Sequence, residues 1–595
     1  MGLKKSYVVL ISASLLVSFL GCIGILTLHP LFQTLLSHRL PLKPGSESYN
    51  GWKKVPFPIY QRFYYFNVTN PDEFLNFGEK PVLEEVGPYT WRSEWVKEAV
   101  EWHANGTLQY RERKRFWFDR EQSAGDQEDV IFTINTPLVA ASQKIRNASP
   151  LIKLAFLIFL NAANETLFIR RSIRQLTYEG YPDVLAHISH VIDPNVPVKD
   201  GRFAYMSGKN DTDEGLFNVY TGSVDLRYFN RIDKWNGRTE LPWWESGTPC
   251  AKLLGTNGEL VHPIVSSDEH IYFFNPVFCK PWRLTRAPDV DSLGITLTRF
   301  VAGPEVLFNS SREPANRCFE TPGKSLPSGG MDLSRCQFGL PLVLSYPHFY
   351  AADSKYLEKV EGLSPNQERH QFQIDIEPRL GITLGLSARA QINVKLERVD
   401  FLKYFRSVPE LVFPVFWQDV VIEQTPAFAD HIRVLLDRPL FYAQFAFRFM
   451  TMCGSLVALG AYIYVVILAK KESKTDSVLF WTTKKSMKMN TEKVTSQKTP
   501  LRDKVKDIDK VSRERSLKDS NNQTKAIAPI SPSAPPLNNQ KILESALAGG
   551  PPRSASASST DVDQQYAKDN ARTWHVNMFS ANHENKRTCN IIIPR

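Results

Sequence analysis

From Ile382 to Leu396 every second residue is apolar: Ile382, Leu384, Leu386, Ala388, Ala390, Ile392, Val394 and Leu396 alternate with Thr, Gly, Ser, Arg, Gln, Asn and Lys. A period of two predicts a half-buried β-strand, and at roughly 3.3 Å per residue it extends on the order of 50 Å. Ala388 and Ala390 leave room on its inner face, for a neighbouring side chain or part of a cavity. Earlier in the chain, Phe63-Tyr64-Tyr65-Phe66, Phe116-Trp117-Phe118 and Val130-Ile131-Phe132 also read as strands. Asn135-Thr136-Pro137 then gives a cap followed by proline, which predicts a short helix through Ile145. Ser149-Pro150 repeats that signal and opens SPLIKLAFLIFL, a helix through Leu160 whose one charge is Lys153. Ile169, Ile173 and Leu176 next fall on one helical face, with Arg170, Arg171 and Arg174 on the other.

Two apolar runs are long enough to cross a bilayer, Tyr7–Leu28 after Lys4 and Lys5, and Phe449–Leu468 before Lys470, Lys471 and Lys474. Basic flanks at both outer ends place both termini in the cytoplasm. The predicted organisation is therefore a cytoplasmic N-terminus (1–6), a span (7–28), an extracellular or lumenal domain (29–448), a second span (449–468) and a disordered cytoplasmic tail (469–595). Five glycosylation sequons agree with this topology, at Asn67, Asn105, Asn164, Asn210 and Asn309, all between the spans. Asn147 heads a weaker sixth, because Pro150 follows its sequon. The tail, with SPSAPP at 531–536 and GGPPRSASASS at 549–559, has the composition of a disordered segment open to cytoplasmic partners.

Composition adds little that the pattern lacks. A hydrophobic fraction of 43% supports a large core, and the net charge of +10 is carried largely by the segment after Leu468, so it calls for no nucleic acid. Cys250, Cys279, Cys318 and Cys336 lie between the spans and imply two disulfides, with three connectivities open. No H-E-x-x-H, G-x-S-x-G, P-loop or G-x-G-x-x-G motif occurs, and His187 with His190 lacks a third metal ligand. The expectation is a protein that is not an enzyme, with no metal and no cofactor. Two-span ligand-gated channels share the layout, but they need a polar pore, and the first span offers only Ser and Thr.

The string FYYFNVTNPDEFLNFGEKPVLEEVGPYTWR (63–92) closely resembles the signature of the class B scavenger receptor family. The resemblance continues through Gly201-Arg202-Phe203, KWNGRTELPWW (234–244), GTNGELVHP (255–263), YPHF (346–349) and GLSPNQERHQFQIDIEPRLG (362–381). It implies an α+β fold: a two-pass membrane protein with a large extracellular, irregular antiparallel β-barrel domain, a helical cap at its membrane-distal end and an internal hydrophobic tunnel. It implies the pairs Cys250–Cys318 and Cys279–Cys336. Many relatives have a further cysteine where this chain has Glu320, so the loop Phe319–Arg335 lacks a staple. The implied function is a plasma-membrane scavenger receptor that binds lipids or lipoprotein particles and assists lipid transfer. The alternative is a lysosomal or endosomal trafficking receptor with a protein ligand.

Read alone, the helix after Ser149 is either a buried core helix or one that touches lipid without crossing a membrane. The resemblance favours partial exposure. The candidate lipid-contact residues are Leu151, Ile152, Leu154, Phe156, Leu157 and Ile158. The candidate cations for attracting anionic ligands are Lys144, Arg146, Lys153, Arg170, Arg171 and Arg174.

Overall fold

The alternating segment forms one strand over Ile382–Leu396, as its period requires. The computed structural model describes residues 2–492 apart from 193–197, 199, 264–269, 322, 324 and 407. The chain divides into two compact units, Met1–Tyr464 and Val465–Arg595. The principal helices are α1 (Gly2–Arg39), α2 (Thr136–Ile145), α3 (Pro150–Ala162), α4 (Val184–Ile192) and α5 (Pro426–Glu492). The principal strands are β1 (Ile59–Val68), β2 (Leu83–Trp102), β3 (Thr107–Asp119), β4 (Val130–Ile134), β5 (Phe168–Ser172), β6 (Thr212–Tyr220), β7 (Ile232–Trp235) and β8 (His270–Phe273), followed by β9 (Trp282–Arg286), β10 (Ile295–Ala302), β11 (Gln373–Glu377), β12 (Ile382–Leu396) and β13 (Leu411–Glu423).

Eleven strands of a 14-stranded sheet run in the order β8-β9-β10-β11-β12-β13-β1-β2-β3-β6-β7, three short strands pair off this path, and each neighbouring pair on it is antiparallel. Its two ends meet a common segment. Ile232 N–H at β7 donates to Gly255 O (2.9 Å), Thr256 N–H donates to Tyr272 O of β8 (3.0 Å), and Phe274 N–H donates to Thr256 O (2.8 Å). Gly255 is required at this junction. Its φ is +92°, and a Cβ there would lie 2.0 Å from Tyr272 O.

Three apolar clusters are stacked along β12. Leu384 joins the roots of α1 and α5 through Leu40, Ala429, Ile432 and Leu436. Leu386, Ala388 and Ala390 join a core with Trp95, Tyr110, Trp282 and Phe300. Val394 and Leu396 join a second core with Phe63, Trp91, Phe116 and Phe416, which also takes Leu138, Phe156 and Leu185 from α2, α3 and α4. The three helices therefore lie at the end of β12 farthest from the roots of α1 and α5.

A charged belt separates the two large cores. On the inward face of β3, Tyr110 belongs to the first core and Phe116 to the second, with Glu112 and Lys114 between them. Lys97 of β2 is wholly buried, and its Nζ lies 2.8 Å from Glu112 Oε1 and 2.5 Å from Glu259 Oε2. Lys114 Nζ lies 2.7 Å from Glu214 Oε2. Burial, reinforced by the charge of Glu112, pushes the Glu259 carboxyl up to about 7. Burial alone would also raise Glu112, but Lys97 and Lys114 outweigh it and hold that carboxyl down to about 2.

The motifs at Glu85, His348, Arg369 and His370 converge on one half-buried carboxylate, that of Glu85. Glu85 accepts from His348 Nε2 (2.5 Å), Trp417 Nε1 (2.8 Å) and Arg369 Nη2. His348 Nδ1 accepts from Ser364 N–H, which leaves its proton on Nε2 facing Glu85. The His348 ring stacks on His370 at 4.5 Å, and Tyr64 stacks on Trp417 at 3.9 Å.

Disulfides join Cys250 to Cys318 and Cys279 to Cys336, with Cα separations of 5.9 and 6.0 Å. Glu320 gives its loop a non-covalent tie, because its carboxylate accepts from Ser310 N–H and, at 2.8 Å, from Ser310 Oγ.

Three sequence-based expectations need correction. The segment around Ile169 is strand β5, followed by a wide helical turn at Gln175–Glu179, rather than a helix. Pairing with β4 (Thr133 opposite Ile169, Ile131 opposite Arg171) satisfies its backbone, so the ladder overrides the helical spacing. The apolar spans are also not the limits of their helices. Residues 29–39 and 426–448, assigned to the outer domain, continue α1 and α5, and residues 469–492, assigned to a disordered tail, are helical. Hydropathy marks where lipid contact ends, whereas backbone hydrogen bonding carries on into water. The rest of the tail lies outside the described residues.

The long helices pack through small residues. Ser18 Oγ and Ser455 Oγ are 2.8 Å apart, and a Cβ on Gly454 would lie 2.7 Å from Ser14 O. Gly454→Leu should therefore cost about 1–3 kcal/mol in a bilayer. Gly460→Leu, where nothing lies within 4 Å, should be neutral. Thermal unfolding of the full chain in nanodiscs compares the two.

The belt predicts a second pair of outcomes. Lys97→Met leaves buried Glu259 without its cation and Glu112 with Lys114 alone, and should destabilise by about 3–5 kcal/mol. Folded Glu259 holds its proton above the ordinary 4.5, so its contribution is complete below 4.5 and is lost as pH rises through about 7. Glu112 acts in the opposite sense, losing its contribution as pH falls from 4.5 towards 2. Melting temperature should fall as pH rises from about 4.5 to 7, and Glu259→Gln should flatten that fall.

Candidate functional site

Helices α2, α3 and α4 sit on the second core, and each is held by its first turn. Asn135 Oδ1 accepts from Leu138 N–H (3.1 Å), and Pro137 sits in the first turn of α2. Ser149 Oγ accepts from Ile152 N–H (3.5 Å), with Pro150 opening α3. Asp183 Oδ1 accepts from Ala186 N–H (2.8 Å) at the start of α4. Gln143 Nε2 donates to Lys395 O (2.6 Å), tying α2 to the far end of β12.

Helix α3 is apolar on two sides. Phe156 is only 7% exposed and anchors the helix in the second core, with Leu157, Phe159 and Leu160 half-buried around it. On the other side Leu151 (76% exposed), Leu154, Ala155 and Ile158 (63% exposed) recur at i, i+3, i+4 and i+7, and Ile152 is exposed beside them. Of the six candidate lipid-contact residues, four face outward, Leu157 is half-buried, and Phe156 belongs to the core. Phe156 is set inward by the side of the helix it occupies.

Helix α4 carries a second stripe that the sequence analysis missed. Val184, Ile188 and Val191 are exposed at i, i+4 and i+7, while Leu185 and Ala186 are buried. The i, i+4, i+7 spacing is the signal in the sequence that marks this stripe, and His187 and His190 lie on the same helix. Among the described residues, no group of three metal-ligating side chains comes together.

The candidate cations are largely engaged. Arg146 pairs with Glu397 (2.8 Å), and Arg174 pairs with Glu128 and Glu179 (2.7 Å each). Arg171 lies 4.4 Å from the centre of the Tyr181 ring, Arg170 lies 5.1 Å from Phe132, and Lys153 lies 5.5 Å from Phe401. Lys144 is exposed on the last turn of α2. Among the described residues, no carboxylate lies in ion-pair range of Lys144, Lys153, Arg170 or Arg171.

The sequon asparagines differ in access. Asn105, Asn147, Asn164 and Asn210 are exposed, and Asn147 and Asn164 bracket α3. Asn67 and Asn309 are half-buried; Asn67 Oδ1 accepts from Phe132 N–H (3.0 Å), and Asn309 Nδ2 donates to Leu326 O (3.1 Å).

Comparison with known proteins agrees with the resemblance in the motifs. The profile of the CD36 family matches residues 10–466. Lysosome membrane protein 2 of Rattus norvegicus is 35% identical over 396 residues, 66% of this chain and 81% of the relative. Scavenger receptor class B member 1 of Sus scrofa is 30% identical over 476 residues, 79% of this chain and 90% of the relative. The same receptor of Mus musculus is 31% identical over 473 residues, 78% and 90% of the two chains. With two terminal helices long and apolar enough to span a bilayer, the chain is a membrane protein that belongs to the CD36 family of class B scavenger receptors.

Proposed function

We propose that this chain is a cell-surface receptor that takes apolar lipid from lipoprotein particles at α3 and α4 and assists its transfer to the membrane. The observation that carries this reading is the pair of outward apolar stripes at the end of the fold farthest from the membrane-spanning helices. A lipid that leaves a particle through water loses about 25 cal/mol for every Å² of apolar surface wetted. Contact with Leu151, Leu154, Ile158, Val184, Ile188 and Val191 reduces that wetted area at the moment of departure. No chemical step is involved, so the reading calls for neither a catalyst nor a cofactor.

The sheet is read here as a closed barrel, on the strength of the hydrogen bonds that Gly255 and Thr256 make to both terminal strands. Its interior is the proposed tunnel. The Lys97–Glu112–Glu259 belt lies across that route, and passage has to part it. A second reading, a lysosomal or endosomal receptor with a protein ligand, draws on the 35% identity to lysosome membrane protein 2. Imaging a tagged chain separates the two locations.

Replacing Leu151, Leu154 and Ile158 by Glu should reduce uptake of a fluorescent cholesteryl ester from lipoprotein at least about tenfold, since each change loses more than 1 kcal/mol of apolar contact. Surface staining should be unchanged, because none of the three side chains is buried. Uptake equal to that of the parent chain at equal surface density would overturn the proposal.

A further inference from the structure

Past Leu468, the end of its apolar run, α5 continues through Glu492, and its charges separate by face. At roughly 100° per residue, Lys470, Lys471, Lys474, Lys484 and Lys485 share one side with Val478, Phe480 and Trp481. Glu472 and Asp476 fall on the opposite side, with Thr483. The five lysines are exposed, as are Val478 (62%), Phe480 (67%) and Trp481 (74%). An exposed stripe of aromatic and branched residues set among lysines, with the acids turned away, is the composition of a helix that lies on an anionic bilayer.

We propose that this face of α5 binds the anionic surface of the cytoplasmic leaflet, with Trp481 and Phe480 at head-group level and the lysines against lipid phosphates and carboxylates. The inference rests on the reading that α5 leaves the bilayer into the cytoplasm. Two features favour the membrane over a protein partner. Lys470 and Lys471 begin the face within two residues of the apolar run, at the depth where basic residues meet head groups. The surface charge of that leaflet is also negative, complementary to the lysine face. Carried straight along the membrane normal, Trp481 would stand roughly 20 Å beyond Leu468, so docking requires the helix to turn. Ser473, Thr475 and Ser477, all weak helix formers, lie in the segment where that turn has to occur.

The full chain, with Cys22, Cys453 and Cys589 replaced by Ser, is labelled with the fluorophore NBD at S477C on the lysine side or at T483C on the acidic side. It is then reconstituted in nanodiscs of phosphatidylcholine with or without phosphatidylserine. Docking gives a brighter, blue-shifted emission at position 477, only in the discs with phosphatidylserine, and little change at 483. K484E/K485E should lower the docked-to-free ratio on the order of thirtyfold, and high salt should act in the same direction. Emission at 477 that is the same in both lipid compositions overturns the proposal, as does equal response at 477 and 483. A shift that requires added cytosolic protein identifies a protein-binding face and overturns it as well. A failure of lipid uptake at α3 would leave this result untouched, because the lysine face lies on a different segment.

Discussion

A lysine with no exposed surface sets the terms for the interior of this protein. An ammonium group taken out of water costs several kcal/mol unless opposite charges surround it, and Lys97 has two carboxylates within 2.8 Å. Those carboxylates come from β3 and from the loop after Gly255, so the pairing holds two distant parts of the chain against β2. Glu112 then requires Lys114 as well, and Lys114 requires Glu214 on β6. Each partner is needed because the one before it is buried. The belt consequently fixes the spacing of β2, β3 and β6 more narrowly than apolar packing would, since hydrophobic contact is non-directional.

The belt also explains why the sheet encloses two cores. Five charged groups part the apolar side chains along β2 and β3, while on the other side Leu342 and, on β12, Ile392 pack against both cores. Strand β12 is long enough to pass from the cluster at the membrane helices, through the first core, to the second. One strand thereby gives the fold two different ends. The near end is covered by α1 and α5. At the far end, α2, α3 and α4 bury one side and leave apolar residues facing outward. A helix such as α3 keeps its position because Phe156 and its half-buried neighbours hold it, which frees Leu151, Leu154 and Ile158 from any structural duty.

Much of this was legible in the chain. The alternation at Ile382–Leu396 matches the extent of β12, though Thr383, Gln391 and Asn393 are buried as well, and the cap-proline signals at Asn135 and Ser149 mark the starts of α2 and α3. These features are local, and the local signal agrees with the tertiary context. What failed depended on partners distant in sequence. The arginines of β5 have helical spacing, but the backbone of β5 is claimed by β4. Arg146 and Arg174 looked available until the fold brought Glu397, Glu128 and Glu179 to them. The charged belt joins residues 97, 112, 114, 214 and 259, and no window of sequence contains them together. Alternation could place Lys97, Glu112 and Lys114 on inward faces, but only the folded sheet shows that they meet.

The belt and the proposed passage of lipid make opposing demands. A route through the interior has to be apolar to lower the barrier for a lipid tail, yet at the level of Lys97 the interior holds five ionisable groups. Counted as two ammoniums and three carboxylates, the belt carries one net negative charge, and a proton on Glu259 cancels it. The proton-bound belt is therefore the lower barrier to a neutral lipid, while the ionised belt repels a lipid carboxylate more strongly than an uncharged head group. An uncharged lipid has the least to lose at this level, because it adds no charge to a belt that balances only when Glu259 holds its proton. On the proposed route, selectivity is set at the belt, and the exposed leucines of α3 govern only how readily lipid enters.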